Sequence, residues 1–264
     1  MAIPLSTAGA GSHAETMLEG LERIKVPKSS DVLAERLKRE ILSDAYQPGA
    51  SLPTERELVT ATGLSRGSVR EALRILETQG LVLTRAGRYG GTTVAQPTDD
   101  HLASHINLYA KGRSVPLSAL VEVRLALEPT VAWLAADRRT EEDLTNLRAI
   151  SQRIKQAAEN DVTTFLEENV AWHDALAVAS HNDLLRAFAN SVSGLMFEAS
   201  QIKEFASVEV RERVCLAHAK ILEAIEAGDA DSARRRVERD VQAYALILKS
   251  AVESSATAAT KTKR

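Results

Sequence analysis

The sequence predicts a mainly α-helical chain of two domains: three short helices with a two-stranded hairpin, then a larger antiparallel bundle of six or seven helices. Three observations carry this. At 264 residues the chain is long enough for two cores of ordinary size. Aromatic residues make up only 4% of it against 44% hydrophobic residues, an aliphatic composition that favours packed helices over sheets. Apolar residues recur at helical spacing along most of its length and are interrupted by Gly, Pro and capping residues.

Bulk composition excludes several classes. The net charge of -3 is close to evenly spread, so charge alone does not announce a nucleic-acid binder. The single cysteine, Cys215, cannot form an intrachain disulfide and reads as a small buried hydrophobe. The first residues lack a basic segment followed by a sustained apolar stretch, and no run of about 18 apolar residues occurs. Secretion and membrane spanning are therefore disfavoured, and a cytoplasmic protein is expected.

Residues 1–28, rich in Ala, Gly, Ser and Pro, read as a flexible tail. Residues 29–97 read as the first domain. Ser30 and Asp31 are placed to cap a first helix whose apolar face is Val32, Leu33, Leu37 and Ile41. The loop "YQPGASLP" ends it. Thr54 and Glu57 form a T-x-x-E capping box that starts a second helix, which stops near Gly63. After a very short turn Ser65 caps a third helix, with Val69, Ala72, Leu73 and Leu76 as its buried stripe and Gly80 as its end. "LVLTR", the glycine-rich "AGRYGG" and "TTVA" then read as a hairpin.

Three helices with a tight second turn, followed by a hairpin, describe a winged helix-turn-helix. Arg66, Arg70 and Arg74 lie one turn apart opposite the apolar stripe, and residues 65–94 hold five Arg against two Glu. Guanidinium groups suit phosphate oxygens and the O6/N7 edge of guanine, which makes double-stranded DNA the expected partner. The plainer alternative is a solvated face whose arginines pair with Glu71 or Glu77.

"PGASLPTERELVTATGLSRGSVREALRILETQGLV" resembles the DNA-binding domain of the GntR family of bacterial transcription factors. The resemblance implies operator contacts from Arg56, Ser65, Arg66, Ser68, Arg70 and Gly87. Gly67 stands where that family often has Thr, so one side-chain contact is absent.

Residues 98–113 read as a linker and 114–252 as the helical domain, with residues 253–264 as a disordered basic tail. "LSALVEVRLALEPTVAWLAADR" predicts one helix with a kink or break at Pro129. Further helices begin at Thr140, Asp161, Asn182 and Val208, and the last spans Ser232 to about Ser250. Short turns between them make the bundle antiparallel.

"VEVRLALEP", "NVAWHDALAVASHNDLL" and "HAKILEAIEAGDADSARRRVERD" resemble the effector-binding FCD domain of the FadR subfamily. That resemblance implies a divalent metal, Zn with Ni or Mn as alternatives, held by Asn169, His173, His218 and Asp240. Asn169 replaces an acidic residue of the usual pattern, and Asp240 replaces a histidine. Asn169 and His173 lie one helical turn apart and can converge, and imidazole, carboxylate and amide oxygen are all acceptable donors. Arg124 is the candidate for pairing with an effector carboxylate. Its alternative is a pair with Glu128, four residues on.

The expected function is a ligand-responsive transcriptional regulator, a repressor, that binds a palindromic operator as a homodimer and responds to a small carboxylate held near the metal. A metal-independent, acyl-CoA-responsive regulator of the same subfamily is the alternative. A metal-dependent hydrolase using the same residues is the remote one, since no H-E-x-x-H motif or nucleophile elbow occurs. No enzymatic activity is expected.

Overall fold

The computed structural model describes residues 27–43, 45–85, 87, 90–202, 205 and 207–262, with side chains described as far as residue 251. The chain divides into two compact units, which meet at Pro97 and Thr98. The flexible tail expected over residues 1–28 lies almost wholly outside the described residues.

In the first unit, α1 (Ser29–Leu42) buries Leu33, Ala34, Leu37 and Ile41. Val32, expected on the same face, is exposed, and Ala34 takes its place. The expected cap also differs: Lys28 is the N-cap and makes no side-chain cap bond, while Ser30 and Asp31 lie within the first turn. Asp31 still favours the positive end of the helix dipole from there.

α2 (Glu55–Thr62) starts at the expected capping box. Glu57 N donates to Thr54 Oγ1 at 3.3 Å, and Thr54 N donates to Glu57 Oε2 at 2.7 Å. Gly63 closes the helix at φ +69°, a left-handed conformation that costs glycine little. Two residues later the Ser65 hydroxyl accepts from Ser68 N at 3.1 Å and starts α3 (Arg66–Thr78). Val69, Ala72, Leu73 and Leu76 are all buried in the core of this unit.

β1 (Val82–Arg85) and β2 (Gly91–Val94) pair antiparallel, with Val82 opposite Val94 and Arg85 opposite Gly91. The proline-containing loop before α2 lies along the free edge of β2. Leu52 N donates to Thr92 O at 2.9 Å, Gly49 N to Val94 O at 2.8 Å, and Val94 N to Ala50 O at 2.8 Å. These bonds tie the hairpin to the start of α2.

The second unit is wholly helical among the described residues. Residues 98–113, expected as a linker, form α4 (Asp99–Gly112), and this helix packs on α8 (Asp183–Ser200). α5 (Leu117–Arg138) passes through Pro129 as a single helix rather than breaking there. Burial of Pro129 with its neighbours Glu128, Val131 and Ala132 compensates for the one backbone bond that proline removes. α6 (Glu141–Asn160), α7 (Val162–Ala179), α9 (Val208–Glu226) and α10 (Ala230–Thr262) complete the bundle. α10 runs well beyond the end expected near Ser250, and the run "SSATAATKTK" contains no Gly or Pro to stop it.

Two buried or half-buried arginines fasten helix ends in this bundle. Arg211 donates to the carbonyls of Ala158 at 2.6 Å and Phe205 at 3.0 Å, and Arg139 Nη2 to the carbonyl of Glu226 at 3.0 Å. Ala158 and Glu226 lie at the C-terminal ends of α6 and α9, whose last carbonyls no residue of the helix itself can reach, and Phe205 lies in the segment between α8 and α9. Loss of the α2 cap tests the local account of the first unit: Thr54→Ala is expected to cost about 1 kcal/mol. The check is a lower midpoint for that unit in chemical denaturation, with the far-UV helical signal unchanged beforehand.

Candidate functional site

On the first unit, α2 and α3 place the residues singled out in the sequence on or beside one exposed face. Arg56, Ser65, Arg66 and Arg70 are exposed and Ser68 is half-buried. Arg70 does not pair within its own helix: its Nε donates to Glu55 Oε2 on α2 at 2.8 Å. Arg74 lies 4.0 Å from Glu71, with both side chains largely exposed. Exposed pairs of this kind contribute about 0–1 kcal/mol, so they hold the side chains loosely. Gly87 is exposed at φ +112°. Added bulk at Gly67 would meet only Ser65 Oγ, at 3.8 Å, so the space for a side chain there exists.

In the second unit α5, α7, α9 and α10 bring a buried polar cluster together. Arg124 is 3% exposed. It grips Glu128 with two nitrogens, its Nε and its Nη2, the latter at 3.1 Å, and its guanidinium carbon stands 4.9 Å from the Tyr244 ring centre. Both readings made of Arg124 therefore bear on one place, because the ion pair with Glu128 also sets the guanidinium beside His173. Arg124 Nη2 is 3.5 Å from His173 Nε2, and Nη1 has no protein partner among the described residues.

His173 has two distinct sides. Its Nδ1 is 3.1 Å from Glu128 Oε2. Its Nε2 is 3.8 Å from Asp240 Oδ2. One ligand atom from each of His173, His218 and Asp240 lies within 4.8 Å of the others. His218 is 2% exposed and stacks on Trp172, with ring centres 4.0 Å apart and planes at 10°. Trp172 in turn donates from Nε1 to Ser151 Oγ at 3.0 Å. Asn169, one turn before His173, lines the same cavity.

The cluster's charges follow from burial and from its partners. Burial would raise the Glu128 carboxyl, but the Arg124 guanidinium and the His173 ring outweigh it and hold that group far below the usual carboxylate range. Burial, reinforced by His173 and Arg124, pushes the His218 imidazole well below its ordinary value, so it is neutral at pH 7. Burial raises the Asp240 carboxyl against the opposing pull of His173 and Arg124.

Asn169 Oδ1 and both His218 ring nitrogens are buried without a hydrogen-bond partner. Buried polar groups without partners cost about 1–3 kcal/mol each, and several in one place call for a ligand. Two imidazoles, an amide oxygen and a carboxylate are a donor set that fits a divalent cation. The sequence reading named Asn169, His173, His218, Asp240 and Arg124, and the structure brings all five to this cluster. That reading did not assign Glu128 its contact with His173, or Trp172 its stack on His218.

A cavity of about 700 Å³ opens from this cluster along α9 and α10, with Phe205, Val210, Val214 and Ile247 on its apolar side. No described helix is long and apolar enough to cross a membrane.

The comparisons with known proteins agree with this architecture. Residues 29–94 match the family model described as bacterial regulatory proteins, gntR family, and residues 119–243 match the FCD domain. A protein of Escherichia coli named as an L-lactate dehydrogenase operon regulatory protein is 31% identical over 215 residues, covering 78% of this chain and 81% of its own. The Glc operon transcriptional activator of Escherichia coli is 30% identical over 206 residues, covering 74% and 79%. Among solved structures, a GntR protein of Streptococcus agalactiae is similar at 25% identity with a TM-score of 0.61, over 84% of this chain and 100% of that one.

The Arg124–Glu128 pair gives this site its sharpest stability test. Arg124→Leu leaves a buried carboxylate without its counter-ion and is expected to cost about 3–5 kcal/mol, whereas replacing both partners by leucine recovers most of that loss. Urea denaturation of the two variants and the parent protein measures the difference.

Proposed function

The chain belongs to the gntR family of bacterial regulatory proteins and carries an FCD domain, and on that premise we propose a ligand-responsive repressor. It binds a palindromic operator as a homodimer and responds to a small carboxylate held beside a divalent metal. The observation that carries the effector half of this reading is the convergence of partnerless buried donors next to a buried arginine.

The first unit supplies the DNA contacts. Arg66 and Arg70 project from the start of α3 toward a major groove, with Arg56, Ser65 and Ser68 on adjacent phosphates and Gly87 letting the wing backbone approach the duplex. Glu55 holds Arg70 through Nε and leaves its terminal nitrogens for a base or phosphate. A single unit would make only about half the contacts of a specific complex, which favours two copies on two half-sites.

In the second unit, Asn169, His173, His218 and Asp240 would hold the metal, with Zn the first candidate and Ni or Mn the others. When bound, the metal supplies a Lewis-acid anchor for an effector carboxylate. Glu128 faces Nδ1 of His173 and so presents Nε2 to the centre, and a carboxylate in that position commonly raises ligand affinity. Arg124 Nη1 is available to the same effector by a charge-assisted bond. L-lactate, whose dehydrogenase operon gives one relative its name, has the required carboxylate.

A route for the response leads out of the site through α8. Ser193 Oγ donates to Asp174 Oδ1, beside His173, at 2.5 Å. On the same helix Arg186 and Asn190 donate to Asp99 at 3.1 and 3.2 Å, and Glu198 pairs with Lys111 at 2.7 Å. Asp99 and Lys111 belong to α4, the helix that follows directly on the DNA-binding unit. Effector binding that favours one arrangement of α7, α8 and α4 would change the spacing of the two DNA-binding units. Operator occupancy that blocks access to a promoter makes repression the expected sign. The relative named as an activator makes the sign a matter for a reporter assay. The relatives are transcription regulators, which leaves the hydrolase reading unsupported.

Fluorescence anisotropy with a DNA fragment from upstream of the protein's own gene tests the reading. Arg66→Ala and Arg70→Ala should each weaken binding by about 1–3 kcal/mol. A small organic acid should release the fragment from metal-loaded protein and lose that effect after chelation. A protein that binds no such fragment, or whose binding ignores both acid and chelator, is not this regulator.

A further inference from the structure

The cavity beside the metal donors has a charge balance that a simple monocarboxylate does not use. Its lining carries Arg124, Arg213, Lys220, Arg236 and Arg239 against one carboxylate, that of Asp240. Three of these cations are engaged. Arg124 grips Glu128, Arg213 Nε donates to the carbonyl of Glu209 at 3.3 Å, and Arg236 bonds the carbonyl of Lys220 and lies 3.6 Å from Glu223.

The side chains of Lys220 and Arg239 have no ion-pair or hydrogen-bond partner among the described residues, and both are exposed. Lys220 stands two residues after His218, and Arg239 immediately precedes Asp240. Both line the cavity, Lys220 from the helix that carries His218 and Arg239 from the helix that carries Asp240. At about 700 Å³ the cavity also exceeds what a three-carbon acid fills, since volumes of roughly 300–1,000 Å³ enclose ligands of drug size. Phe205 and Val210 are buried on its apolar side.

We propose that the effector is a dianionic organic acid with an apolar body. One carboxylate sits at the metal donors and Arg124. The second anionic group, a carboxylate or a phosphate, is held at the mouth by Lys220 and Arg239, and the apolar body lies on Phe205, Val210 and Ile247. This rests on the carboxylate reading above and narrows it, because the mouth cations distinguish between acids that the metal alone would accept equally.

The test is calorimetric titration of the full-length, metal-loaded protein at constant ionic strength with matched acids: hexanoate against adipate, octanoate against suberate, and 6-(phosphonooxy)hexanoate as the phosphate arm. The dianions are expected to bind at least about tenfold more tightly than their monocarboxylate partners, the sum of two modest charge contacts. Lys220→Ala combined with Arg239→Ala should cancel that preference while leaving monocarboxylate affinity unchanged. Both residues are exposed, so the double variant keeps its fold, and its melting temperature checks this. Tighter binding of the phosphooxy acid than of the dicarboxylates assigns the second group as phosphate, and the reverse assigns it as carboxylate. Equal affinity for mono- and dianions, or a preference that survives the double variant, would overturn the proposal and leave the carboxylate reading standing. No binding of any acid by metal-loaded protein would overturn both.

Discussion

The buried ion pair of Arg124 and Glu128 is the interaction on which the rest of the helical unit depends. Buried pairs of this type are seldom a net gain in stability, because desolvating two charges offsets most of their attraction. Their value here is positional. Glu128 bonds the guanidinium on one side and faces His173 Nδ1 on the other, so one carboxylate orients both a cation and an imidazole. Tyr244 on α10 and His173 on α7 close around the same guanidinium, which ties three helices to a single charged group.

Given that constraint, the apolar core has a second role. Trp172 fills the bundle interior and stacks on His218, holding a neutral imidazole beside Asp240 where a solvated histidine would rotate freely. The burial that makes this cluster expensive keeps the His218 imidazole unprotonated and its nitrogens unpaired, as a cation requires, whereas it pushes the Asp240 carboxyl toward its protonated form, a tendency that a bound cation would reverse. The DNA-reading unit follows a different economy. Its residues are exposed and loosely paired, and rigidity comes from caps and from the loop bonded to β2. A face that must meet a polyanion is best left solvated until it does.

The sequence was most legible where structure is set locally. The box of Thr54 and Glu57, the Ser65 cap and the apolar stripe of α3 each depend on residues within one or two turns, and each is where the pattern puts it. Composition read as a linker concealed α4, whose ordering comes from packing on α8 rather than from a strong apolar face. Ser30 looked like a cap because its type suits one, although the helix is capped two residues earlier, at Lys28. At the site, the spacing of Asn169 and His173 and the Arg124–Glu128 pair were readable as neighbours on a helix. The partner of Arg70 was not, since Glu55 lies on another helix, and the stack of Trp172 on His218 joins residues far apart in the chain.

Whether these donors hold a metal decides the proposed response of this protein to a carboxylate. Equilibrium dialysis of chelated protein against micromolar zinc, nickel or manganese, followed by elemental analysis, measures it, with His218→Ala as the comparison. One tightly held ion per chain in the parent protein, lost in the variant, is the predicted result. An ion count that is zero in both, or the same in both, would contradict it.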